Sequence, residues 1–232
     1  MMYTGIKFDN HDSRIPYYEL LLERNLNQIP VYQLPEGYRF AFYKDGEQKH
    51  WIQIEISAKE LKDYKQGLEV WDRYYGGKED TLLNRMVFIE NPQGEKIATA
   101  TAYYDITGKD QSGDGWLHWV AVHREYQGKG LSKPLIAYVL CLMRDLGYIH
   151  AKIPTQTTTW LACKIYLDFG FLPVPENAVH SKDGWRIIKA LTNHSALDRF
   201  TAASMEEILR PIRKKTTTTP TPSSSAKTTT LQ

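Results

Sequence analysis

The stretch from Trp116 to Ser132 carries the clearest chemical signal in the sequence. It reads WLHWVAVHREYQGKGLS, so a run of β-forming residues leads through Gly128 and Gly130 into an apolar helical stripe. Glycines let the backbone approach a ligand closely, and the free N–H groups at the start of a helix attract an anion. The pattern predicts a phosphate or pyrophosphate site, although the same glycine pair also makes plain tight turns.

Two familiar phosphate loops do not fit this stretch. A Walker loop requires G-x-x-x-x-G-K followed by Ser or Thr, but here Gly130 follows Lys129 and position 123 holds a histidine. A dinucleotide fingerprint requires G-x-G-x-x-G, but the third residue after Gly130 is Lys133. A third type of phosphate loop, the one found in acyl-CoA-binding proteins, does fit the stretch.

The stretch is similar to the acyl-CoA motif of the GNAT N-acetyltransferase superfamily. That motif has Arg or Gln, two further residues, Gly, one residue, and then Gly or Ala. Gln127 and Gly130 match it, and Ser132 stands where glycine or alanine is usual. The resemblance covers roughly residues 36–175. It implies the family's α/β fold, a mixed and mostly antiparallel sheet that splays between two central strands and is flanked by helices.

A second stretch, TWLACKIYLDFGF at residues 159–171, resembles another GNAT motif, N-x-x-A-x-x-x-Y-x-x-x-G-F. Ala162, Tyr166, Gly170 and Phe171 match in register. Thr159 replaces the usual asparagine, and its hydroxyl can still bond a pantetheine arm. The two motifs occur in the family's order, with a predicted helix and strand between them.

The resemblance implies acetyl-CoA as co-substrate, and the sequence gives no reason for a metal. The main chain of the strand before the loop is expected to pair with pantetheine, and the loop amides to hold the pyrophosphate. The Val120 N–H is expected to polarise the thioester carbonyl. The residues expected to bind the co-substrate are Val120, Ala121, Val122, Gln127, Gly128, Lys129, Gly130, Leu131, Ser132, Thr159 and Ala162.

Two residues are the predicted catalytic groups, Tyr166 and His118. The second motif implies that Tyr166 gives a proton to the departing thiolate; otherwise it is a core aromatic residue. Side chains alternate along a strand, so His118 is expected to share a face with Trp116, Val120 and Val122. A histidine pKa of about 6.5 suits a base near neutral pH. The strand LHWVAVHR also resembles that of arylalkylamine N-acetyltransferases, where a histidine at this place helps deprotonation. A lone strand histidine is otherwise a packing residue.

The turn Asn91-Pro92-Gln93-Gly94 predicts a β-hairpin. The acceptor wall is expected in the helical segments before this hairpin. Aromatic residues and an acid would suit a cationic or aromatic amine there, while a plain helix packing face is the alternative. Cys163 is expected to be a small buried residue, and Gln156 to line the cofactor slot. The wall candidates are Trp51, Glu55, Trp71, Tyr74 and Tyr75.

Three regions are expected along the chain. Residues 1–35 form a helical lead-in, because Ile15, Tyr18, Leu22 and Leu26 fit one helical face. Residues 36–212 form the acetyltransferase domain with a C-terminal helical extension. Residues 213–232, rich in Thr, Ser and Pro and basic, have almost nothing to bury and are expected to form a disordered tail.

Composition excludes several other classes of protein. The 232 residues carry 29 Lys and Arg against 27 Asp and Glu, and the excess sits in the tail, which argues against a nucleic-acid binder with a basic surface. Two cysteines, Cys141 and Cys163, make neither a disulfide framework nor a multi-cysteine zinc site. No apolar run reaches the length of a membrane span. We therefore expect a cytoplasmic protein with no nucleic-acid or membrane partner; a homodimer is compatible with the family resemblance.

The sequence thus predicts an acetyl-CoA-dependent N-acetyltransferase that acts on the primary amine of a small molecule by direct attack in a ternary complex. Two alternatives stay open. One is a protein or peptide acetyltransferase acting on lysine or an N-terminus, and the other is a non-catalytic acyl-CoA sensor.

Overall fold

A computed structural model describes residues 7–174 and 181–209, so the predicted tail lies outside the described residues. The helices are α1 (Gln48–Ser57), α2 (Tyr64–Tyr75), α3 (Ser132–Asp145), α4 (Trp160–Asp168), α5 (Ser181–Thr192) and α6 (Met205–Leu209). The strands are β1 (Glu19–Asn25), β2 (Arg39–Phe42), β3 (Met86–Glu90), β4 (Lys96–Tyr103), β5 (Gly115–Val122), β6 (His150–Gln156) and β7 (Leu172–Pro173).

The strands form one sheet in the order β2-β3-β4-β5-β6-β1-β7. Every neighbouring pair is antiparallel except β5 and β6, which run parallel. Helix α3 covers one face together with the larger apolar cluster, and α1 and α2 cover the other around Trp51, Trp71 and Tyr75. The mixed, mostly antiparallel α/β sheet predicted from the sequence is confirmed.

The predicted helix in the lead-in is wrong, because the chain forms β1 there. Three successive leucines, Leu20, Leu21 and Leu22, are all buried. This is the pattern of a strand with both faces covered, and β1 lies inside the sheet between β6 and β7. Ile15, Tyr18, Leu22 and Leu26 match a helical spacing only by coincidence.

Local sequence explains the helices around the sheet. The Asp63 carboxylate caps α2 by accepting from the Gln66 N–H at 2.9 Å. Helix α3 begins at Ser132, and no side chain caps its first amides. The buried Trp185 lies on α5. Within residues 7–174 and 181–209, no helix is both long and apolar enough to cross a membrane.

Candidate active site

The two parallel strands at the centre of the sheet separate soon after they meet. Strands β5 and β6 pair only at Gly115 with Ala151 and at Trp116 with Lys152. A polar contact ties this paired end together, because Asp110 Oδ2 accepts from Trp116 Nε1 and Lys152 Nζ, each at 2.8 Å. Beyond it, β5 and β6 do not pair with each other, and a gap opens between them.

Two cavities meet at this gap. The large cavity, of 890 Å³, lies between β5, β6 and α1. The small cavity, of 540 Å³, lies between β5, the glycine loop and α4. Their common wall contains His11, Glu60, Val120, Thr159, Ala162 and Tyr166. The two cavities therefore adjoin each other at these residues.

The small cavity brings together ten of the eleven residues predicted to bind the co-substrate. The exception is Lys129, whose Nζ lies over the Tyr126 ring at 4.4 Å from its centre. The ten that line it are Val120, Ala121, Val122, Gln127, Gly128, Gly130, Leu131, Ser132, Thr159 and Ala162.

The geometry of the glycine loop fits a bound pyrophosphate. Gly128 and Gly130 have φ of 78° and 77°, which side chains rarely adopt. Gln127 fixes the loop to β5 by donating its Nε2–H to the Val122 carbonyl at 3.1 Å. Because no side chain caps α3, its first amides are free to bind an anion beside the loop. The residues present therefore fit an acyl-CoA.

A β-bulge in β5 contradicts the predicted alternation of side chains. Thr99 on β4 faces Ala121 and Thr101 faces His118, so β5 carries one extra residue between these pairs. Trp119 has a φ of 51° at this point. Val120 therefore packs with the cluster around α3, whereas His118 points to the opposite face. The expectation that they share a face is wrong because the bulge rotates the strand.

His118 lies against the aromatic wall of the large cavity. Its ring centre is 5.5 Å from that of Tyr74 and 5.6 Å from that of Tyr103. The residue is 5% exposed, and this burial lowers the pKa of His118 from 6.5 to about 4. The ring is thus neutral near pH 7. Its Nδ1 has no hydrogen-bond partner among the described residues.

Tyr166 lies in the wall that separates the two cavities. Burial of its ring raises the pKa of Tyr166, and the carboxyls of Glu60 and Glu55 raise it further. The hydroxyl therefore keeps its proton at neutral pH. A protonated hydroxyl at this position can donate to a group in either cavity.

Only two of the five residues predicted for the acceptor wall reach the large cavity. Glu55 and Tyr74 line it. Trp51, Trp71 and Tyr75 pack in the core under α1 and α2 instead. Gln156 lines the large cavity and not the small one, so the expectation that it lines the cofactor slot is wrong. Cys163 is fully buried, as expected.

A segment that no sequence pattern singles out crosses the site. This strap, residues 7–18, runs over the common wall and places His11 in it. Asn10 donates its Nδ2–H to Gln127 Oε1 at 3.2 Å, and Trp160 Nε1 donates to the Asp9 carbonyl at 2.9 Å. The strap contacts residues that are distant from it in sequence, so no local sequence pattern predicts it.

Known proteins match the chain at the level of the domain. The model of the acetyltransferase (GNAT) family matches residues 29–171. No curated protein sequence matches the chain.

Solved structures share the fold at low sequence identity. A GCN5-related N-acetyltransferase from Sphaerobacter thermophilus is similar with a TM-score of 0.54 at 16% identity, over 68% of this chain and 49% of that one. An acetyltransferase of the GNAT family from Colwellia psychrerythraea has a TM-score of 0.51 at 13% identity, over 68% of this chain and 54% of that one. A glucosamine N-acetyltransferase region of a fungal multi-domain β-N-acetylglucosaminidase has a TM-score of 0.51 at 14% identity, over 67% of this chain and 20% of that one. The chain thus spans about half or less of the length of these structures.

Proposed function

The chain belongs to the acetyltransferase (GNAT) family, and on this premise we propose that it transfers an acetyl group from acetyl-CoA to the primary amine of a small molecule. The observation that carries the proposal is the common wall between the two cavities. It lets a thioester in the small cavity meet an amine in the large cavity at Val120 and Tyr166.

The small cavity is proposed to hold the co-substrate. The amides of residues 128–132 bind the pyrophosphate, and Thr159 bonds the pantetheine arm. Neither Val120 nor Trp119 is paired with β4 in the register, and this part of β5 does not pair with β6. An extended pantetheine can therefore pair with the open edge of β5, as an added strand does.

The acetyl group is proposed to pass directly to the amine. The amine nitrogen attacks the thioester carbonyl carbon, a C–N bond forms, and the C–S bond breaks. The Val120 N–H stabilises the negative charge on the carbonyl oxygen, and the Tyr166 hydroxyl gives its proton to the leaving thiolate. The proton that the nitrogen sheds as the amide forms then restores the Tyr166 hydroxyl.

His118 is proposed to accept the proton that the ammonium group loses before attack. Because its ring is neutral near pH 7, its nitrogen lone pair is available. The low pKa of about 4 makes it a weaker base than free imidazole. Its position in the wall of the large cavity, rather than a pKa near 7, supports this role.

The test is release of free CoA thiol from acetyl-CoA in the presence of small amines. We expect amine-dependent release by the wild-type protein. In His118→Ala and in Tyr166→Phe, kcat should fall about a hundredfold while the affinity for acetyl-CoA is unchanged.

Two outcomes would contradict the proposal. Turnover with lysine peptides but with no small amine would indicate a peptide acetyltransferase. Binding of acetyl-CoA without turnover of any acceptor would indicate a sensor. A wild-type rate in His118→Ala would refute only the role of His118 and leave the rest of the proposal standing.

A further inference from the structure

The large cavity is strongly biased toward negative charge. Four carboxylates line it, and no lysine or arginine is among the described residues that do so. His118 adds no positive charge near pH 7, because burial lowers its pKa to about 4. The four carboxylates belong to Glu19, Glu55, Glu60 and Asp105.

Three of these carboxylates have water or a polar partner. Glu19 is exposed. Glu60 Oε2 accepts from Gln156 Nε2 at 3.3 Å, and its Oε1 lies 3.8 Å from His11 Nδ1. Asp105 accepts N–H groups from the loop that follows it, including that of Asp110 at 2.8 Å.

Glu55 is the exception. The residue has no exposed surface, and neither carboxylate oxygen has a hydrogen-bond partner among the described residues. A buried carboxyl without a partner is costly to the fold, so such groups usually serve a ligand or a reaction. Burial also raises the pKa of Glu55 well above its usual range, so the carboxyl favours its neutral form until a cation beside it stabilises the carboxylate.

We propose that the acceptor is an organic cation without a carboxylate group and that its ammonium group pairs with Glu55. This inference rests on the proposed function, because it assigns the acceptor of the same site. An ammonium group brings three N–H donors to the two oxygens that lack partners. Tyr74 and Trp119, whose ring centres are 5.3 Å apart, also line the cavity and attract a cation through their ring faces.

The same arrangement rejects amino acids as acceptors. The carboxylate of an amino acid would enter a cavity that is lined by four acidic side chains and offers no lysine or arginine among its described lining residues. Like charges brought together without a counter-ion repel, and the cost grows as water is excluded. An amine and the amino acid that differs from it only by a carboxylate should therefore bind very differently.

Calorimetric titration of the CoA-loaded protein tests the proposal without any turnover. The probes are two matched pairs, tyramine with tyrosine and cadaverine with lysine. At least one amine should bind about tenfold or more tightly than its amino acid. Glu55→Gln should weaken that amine about tenfold or more and leave the affinity for acetyl-CoA unchanged.

A matched control is Glu69→Gln, because Glu69 is an exposed glutamate of α2 that lines neither cavity. It should bind the amine as the wild-type protein does. If Glu55→Gln does not fold, the comparison within each pair on the wild-type protein still decides the matter.

Three results would overturn the inference: equal binding within both pairs, an unchanged amine affinity in folded Glu55→Gln, or no binding of either amine. Its failure is distinguishable from that of the proposed function. Glu55-dependent amine binding without acetyl transfer would refute only the function. Acetyl transfer that is indifferent to Glu55 and equally good with amino acids would refute only the inference.

Discussion

Burial of His118 should make the fold less stable as the pH decreases. A single substitution of His118 should remove this pH dependence. In the unfolded chain the imidazole takes up a proton near pH 6.5, whereas in the folded protein its pKa is about 4. Between these values the unfolded state binds more protons, so the free energy of unfolding decreases as the pH falls. The penalty is absent above the unfolded pKa and is complete below the folded one.

The size of this effect follows from the two pKa values of 6.5 and about 4. Each pH unit between them is worth about 1.4 kcal/mol, so the fold should lose about 2 kcal/mol between pH 7 and pH 5 and about 3 kcal/mol in full. No reduction for solvent screening is needed, because the His118 side chain is almost completely buried.

The assay is urea denaturation of the wild-type protein and of His118→Gln across this pH range. Glutamine does not titrate, so the difference in unfolding free energy between the two proteins should change by about 2 kcal/mol in favour of the variant as the pH drops from 7 to 5. Parallel curves would refute the reasoning, since they would mean that folding does not shift the titration of His118.

Two further predictions concern the elements that hold the site. In Gly67→Ala the new Cβ would clash with Ile52 Cγ2 and overpack the contact between α1 and α2. The free energy of unfolding, measured in urea, should drop by about 1–3 kcal/mol. An unchanged value would show that the helices move apart freely. Asp12→Ala removes the carboxylate that accepts from the Asp9 N–H and from the Arg14 Nε–H, each at 2.9 Å. The strap should then be more mobile, and trypsin should cleave after Arg14 faster than in the wild-type protein. An unaltered cleavage rate would mean that other contacts fix the strap.

Local pattern was sufficient to predict the mixed, mostly antiparallel sheet and a set of residues that the structure brings together around the small cavity. The hairpin turn at Asn91, the loop at Gly128 and Gly130, and the second motif around Tyr166 are each set by residues close together in sequence. Ten of eleven predicted co-substrate residues accordingly line one cavity.

The features that local pattern did not predict depend on contacts between distant segments. Three leucines in the lead-in fit a helix or a strand, and only pairing with β6 selects β1. The bulge at Trp119 depends on the register with β4, which no residue of β5 specifies alone. His11 reaches the common wall because the strap is held by Gln127 and Trp160, far along the chain.

The central claim, that the glycine loop binds acetyl-CoA, is tested most directly by calorimetric titration of the protein with acetyl-CoA. The variant is Gly130→Glu, which places bulk and negative charge against the phosphates. The control is Gly46→Glu. Gly46 has a similar φ of 79°, and a Cβ at Gly46, like one at Gly130, would meet no atom within 4 Å, but Gly46 lines neither cavity. We expect micromolar binding by the wild-type protein and the control and none by Gly130→Glu. Absence of binding by the wild-type protein, or equal binding by both variants, would contradict the account.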